Sequence, residues 1–131
     1  MNLKKYSLFV VSVFVVTLYG CKSYPVRNIE HAPVPHSGQH HPTAHEVKRI
    51  ILRAGSDLGW AMKPVRPGVI IGTLFVRSHM AKVRITYNRR SFSIHYMDSR
   101  NLKYDGHNIH SRYNGWVTNL ERRINSMLAA L

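Results

Sequence analysis

The sequence predicts an α+β fold: a two-layer domain of order α-β-β-β-α, in which a three-stranded antiparallel meander carries two helices on one face. Three observations predict it. Val47, Ile50, Ile51, Ala54 and Leu58 recur at helical spacing, so residues 47–58 present one apolar stripe. Between residues 69 and 97 lie three short β-rich runs separated by turn signals. Finally, Tyr113, Trp116, Val117, Leu120, Ile124, Met127, Leu128 and Leu131 form the strongest 3.6-residue stripe in the chain.

Each element has its own start and stop chemistry. Thr43 followed three residues later by Glu46 fits a capping box, which satisfies two amide donors at the start of the first helix. Gly55 and Gly59 weaken that helix, and 60–64, ending in Pro64, is expected beyond its end. The run 69–77 is apolar on both faces, so its second face could bury against a partner. Ala81, Val83, Ile85 and Tyr87 alternate with Lys82, Arg84 and Thr86, the pattern of a half-buried central strand. Phe92, Ile94 and Tyr96 alternate in the same way after the turn at 88–90. Residues 98–106 read as a loop rich in Asp, Ser, Asn and Gly. The second helix is expected over 109–130, with Gly115 as a point of close approach to a strand.

The first 42 residues read differently. Lys4 and Lys5 precede an uncharged run of fourteen residues, 6–19, and then Gly20 and the only cysteine, Cys21. A basic head, a short apolar core and a small residue at the cut are the layout of a secretory signal, 1–20. The run falls short of the roughly 20 residues that span a bilayer. Residues 21–42 contain Pro25, Pro33, Pro35 and Pro42 with no apolar periodicity, which predicts an extended tether with a reach on the order of 60 Å as polyproline-like chain. The folded domain is then 43–131.

Leu18-Tyr19-Gly20-Cys21 resembles the lipobox of bacterial lipoproteins. That resemblance implies cleavage before Cys21, a diacylglycerol on its sulfur and a third acyl chain, such as palmitate, on the new amino terminus. Two hydrophobic signals already give stable membrane attachment. Lys22, where an Asp would signal inner-membrane retention, implies the outer membrane, with the domain facing the periplasm. The folded part is also similar to small Gram-negative lipoproteins that have no assigned activity. The likeness rests on Gly59-Trp60, on Arg77, His79, Ala81 and Val83, on the segment 99–104, and on Tyr113-Asn114-Gly115-Trp116-Val117.

Composition narrows the function. Without its leader the chain carries seventeen Lys and Arg against six Asp and Glu, a formal +11. Such an excess attracts anionic partners in a salt-dependent way. In a cell envelope these are lipopolysaccharide phosphates, anionic phospholipids and acidic wall polymers; a protein partner is a further option. Phosphate-binding and base-stacking motifs are absent, so nucleic acid is not favoured. Lys82, Arg84 and His95 are expected on the open face of the meander, with Arg89 and Arg90 at a turn tip, as an anion-binding set. Five of the nine histidines fall between 31 and 45. Among them His36, His40, His41 and His45 offer an alternative, capture or sensing of Zn, Cu or Ni, although their spacing matches no closed zinc site. No cofactor is implied. Ser78 beside His79, and Asp98 with Asp105, lack the context of a nucleophile or a glycosidic carboxylate pair. The sequence therefore reads as a non-catalytic envelope protein.

Overall fold

The structure, a computed structural model, describes residues 22–131; the expected leader and Cys21 lie outside them. The elements in chain order are β1 (Ser23–Pro25), β2 (Ile29–Pro33), α1 (Ala44–Asp57), β3 (Ala61–Arg66), β4 (Val69–Val76), β5 (His79–Tyr87), β6 (Ser91–Arg100), β7 (Asn108–His110) and α2 (Ser111–Ala129). The α+β class stands, with two helices on antiparallel strands. Strand count and order differ from expectation.

The capping box closes as the residue pattern requires. Thr43 N–H donates to Glu46 Oε2 at 2.7 Å and Glu46 N–H to Thr43 Oγ1 at 3.1 Å. Val47, Ile51 and Ala54 of α1 are fully buried. Along α2, Tyr113, Val117, Leu120, Ile124 and Leu128 are buried, and Trp116 and Met127 pack partly against them. Leu131, expected in this stripe, lies past the helix and is half exposed.

The meander β4-β5-β6 forms the middle of a five-stranded sheet ordered β2-β6-β5-β4-β3. Ile70 faces Ile85 and Ile85 faces Ile94 across the strands, and Gly72 faces Val83. This face is the core side. Tyr113 of α2 meets the Tyr96 ring edge-on at 5.5 Å, while Met62 of β3 fills the space above Gly55 of α1. Both helices therefore cover the same side of the sheet.

Three expectations are corrected. Residues 22–42 are not a free tether: β1 pairs with β7 and β2 pairs with β6, with Ile29 opposite Ile94 and Ala32 opposite Phe92. Ile29, Ala32 and Val34 are buried, and an Ile or Val contributes about 1.5–3 kcal/mol on full burial. That gain helps offset the ordering entropy that the proline-rich composition suggested was uncompensated. Pro33 is tolerated because β2 is an edge strand. The second correction is β3, read from sequence as chain beyond a helix end. Pro64 looks like a breaker but lies in the other edge strand, where the register shifts between Pro64 and Arg66. The third concerns residues 98–110. Residues 98–100 extend β6 and 108–110 form β7, while Leu102 in the loop between them is buried.

Gly115 also differs from expectation, since a Cβ there would meet nothing within 4 Å. Close approach belongs instead to Gly55, whose added Cβ would collide with Met62.

Candidate anion-binding face

Opposite the helices, the sheet presents its second face. Alternation along β5 places Met80, Lys82, Arg84 and Thr86 on this side, and the register extends the pattern sideways. Lys82 lies between Thr73 of β4 and Asp98 of β6. Arg84 lies between Ile71 and His95, and Ile71 faces Lys63 of β3. At the end of the face Arg100 is opposite Met80. Neighbouring strands run about 4.8 Å apart, so Lys63 and Arg84 are separated by about 10 Å and Lys82 by about 7 Å from Arg84. Among the described residues, Lys63, Lys82, Arg84 and Arg100 have no ion-pair partner.

Apolar groups are interleaved with these cations. Phe75 is 66% exposed and Met97 43%. Phe75, Thr73, Lys82, Asp98 and Arg100 line one shallow groove. Such a surface can meet the oxygens of phosphate or carboxylate groups with several cations at once, while its apolar rings cover a less polar part of the same ligand.

The five residues expected to bind anions fall into two places. Lys82, Arg84 and His95 share the open face, but His95 Nε2 lies 2.7 Å from Glu30 Oε1. That carboxylate engages Nε2, so His95 ties β6 to β2. Arg89 and Arg90 sit at the β5–β6 turn. Arg89 Nε donates to the Pro42 carbonyl at 3.2 Å, tying the turn to the segment before α1. Lys63 and Arg100 join the face without having been expected there. Lys63 was hidden because β3 was not legible, and Arg100 because it read as loop.

The histidines separate as well. His36 and His41 stack with ring centroids 4.1 Å apart, and His40 closes a tight turn onto Ser37, its N–H donating at 3.1 Å. Partial desolvation in this stack, together with the charge of His36, Arg89, Arg90 and His40, holds the His41 pKa below its ordinary value. His45 lies apart in the first turn of α1, lining a groove with Lys48 and Arg66. Among the described residues, no three of His, Cys, Asp and Glu come together as a metal cluster.

A third grouping ties one end of the domain together. His79 Nδ1 lies 2.7 Å from the Asn101 carbonyl, and Asn101 Nδ2 donates to Ser78 Oγ at 2.8 Å. Ser78 and His79 are thus each bound to Asn101. Asp105 Oδ1 accepts from the amides of His107 and Asn108, which hold its pKa below the usual aspartate range. The backbone is left-handed at Arg77, Asn101 and Lys103, an uncommon conformation for non-glycine residues. No protein-family model matches this chain, and no curated protein or solved structure matches it either.

Proposed function

We propose that this protein is a non-catalytic envelope lipoprotein, anchored by acyl chains on Cys21 to the outer membrane and facing the periplasm. Its open sheet face receives an anionic envelope component. The observation that carries this reading is the alignment of Lys63, Lys82, Arg84 and Arg100 on a face that neither helix covers. Both sheet edges support a surface ligand over an added strand. β2 carries Pro33 and a bulge, while β3 carries Pro64 and a register shift, and these features block strand pairing.

The experiment is a salt titration of the mature chain against lipopolysaccharide micelles, with Lys82→Glu/Arg84→Glu alongside. Binding should weaken as salt rises and fall at least tenfold in the variant, with the fold unchanged by circular dichroism. Affinity that ignored both salt and charge reversal would rule the face out as an electrostatic site.

A further inference from the structure

The hydrogen bonds made at residues 22–24 bear on how an anchored domain sits. Lys22 is hydrogen-bonded, its carbonyl accepting from Ser111 N–H at 3.1 Å where α2 begins. Ser23 then pairs with His110 and Tyr24 with Ile109. An acyl anchor on Cys21 is therefore one residue from rigid structure, and one extended residue spans at most about 3.6 Å. A chain of hydrogen bonds defines the end of the domain that this anchor holds. His110 N–H donates to the Leu102 carbonyl, Asn101 bonds Ser78 and His79, and Met80 pairs with Arg100. Arg77 at the β4–β5 turn, Arg100 at the end of β6, Lys22, and Arg112 in the first turn of α2 all belong to this end, and all four are exposed.

We propose that this end, with Lys22, Arg77, Arg100 and Arg112 as cations and the exposed rings of Tyr24 and Phe75 as apolar contacts, rests directly on anionic phospholipid headgroups. The proposal rests on the lipid-anchor reading above. The occupant is a lipid surface because the anchor leaves no length of chain for anything thicker to intervene. Charge complementarity agrees: the carboxylates of this end are Asp98 and Asp105, and Asp105 is taken up by the amides of His107 and Asn108. Tyrosine and phenylalanine rings suit the boundary between headgroups and acyl chains. Each cation near an anionic leaflet strengthens contact by about fivefold.

The test uses the full chain, processed and acylated in cells, in vesicles of phosphatidylglycerol and phosphatidylcholine containing a nickel-chelating headgroup lipid. Acylation consumes Cys21, so a single introduced cysteine can carry a spin label: Gly115→Cys near the anchored end, Ala130→Cys at the far end of α2, or Thr86→Cys on the open sheet face at the far end of β5. Fifteen residues of helix separate 115 from 130, about 22 Å. Strong broadening at 115 and little at 130 or 86 is expected, with the contrast between 115 and the other two sites reduced in Lys22→Glu/Arg112→Glu. Equal broadening at 115 and 130, greater broadening at 86 than at 115, or none at 115 overturns the proposal. So does indifference of that contrast to charge reversal and to phosphatidylglycerol. The intact mass separates the two ideas. Acylated protein with the wrong broadening pattern defeats the contact face alone, whereas an unmodified Cys21 defeats the anchor and the face together.

Discussion

Asn114 shows how one side chain binds the first residues of the domain to its last helix. Its Oδ1 accepts from Arg27 N–H at 2.9 Å and its Nδ2 donates to the Pro25 carbonyl at 3.0 Å, while Arg27 reaches Glu121 at 3.1 Å. Two backbone groups, one at the end of β1 and one in the link to β2, are thus satisfied from α2. Asn114→Ala should destabilise the fold by about 1–3 kcal/mol, since each hydrogen bond contributes on the order of 1 kcal/mol. Hydrogen exchange should show the loss concentrated in residues 23–28, and a uniform loss across the sheet would contradict this role. Tyr113 is the opposite case. Its ring is wholly buried, its hydroxyl has no hydrogen-bond partner among the described residues, and burial pushes its pKa upward. An unpaired buried hydroxyl costs about 1–3 kcal/mol, so Tyr113→Phe should be neutral or stabilising in urea unfolding. A marked loss would reveal a partner for the hydroxyl.

At the scale of elements, the two helical glycines should behave oppositely. Gly115→Ala fills open space and should gain about 1 kcal/mol of helix propensity. Gly55→Ala drives a methyl into Met62 and should lose about 1–3 kcal/mol to overpacking. Chemical denaturation of both variants checks the pair, and a stabilising Gly55→Ala would mean that β3 is free to move away from α1. The segment before α1 should respond to pH. The pKa of His41 is lowered, so the fold favours its neutral form, and the contribution is complete above the ordinary value of 6.5 and declines as pH falls below it. The groups facing it are His36, His40, Arg89 and Arg90, all adding positive charge. Amide signals of residues 36–41 should move between pH 7.5 and 5.5 while those of β4 and β5 stay in place. Signals that stayed fixed in both regions would dissociate the stack from protonation.

For the whole molecule, what the sequence made legible is local. Thr43 and Glu46 announce α1 through contacts three residues apart, and the stripe from Tyr113 to Leu128 announces α2. β2 and β3 are defined by pairing with β6 and β4, and their Pro33 and Pro64 look like breakers until the edge position is known. The candidate face was legible in the same proportion. Alternation along β5 gave Lys82 and Arg84, whereas Lys63 depended on β3, and the Glu30 partner of His95 lies 65 residues away. The pairing that begins at Ser23 could not be read from composition, because β1 and β2 gain their order from β7, from β6 and from α2. This arrangement gives Cys21 its importance, since an anchor there would fix both the location and the standing orientation of a basic domain. The most direct measurement is the intact mass of the mature protein isolated from a Gram-negative host. It should correspond to residues 21–131 carrying diacylglycerol and one further acyl chain, whereas a mass retaining residues 1–20, or a chain with a free Cys21 thiol, would contradict the anchor.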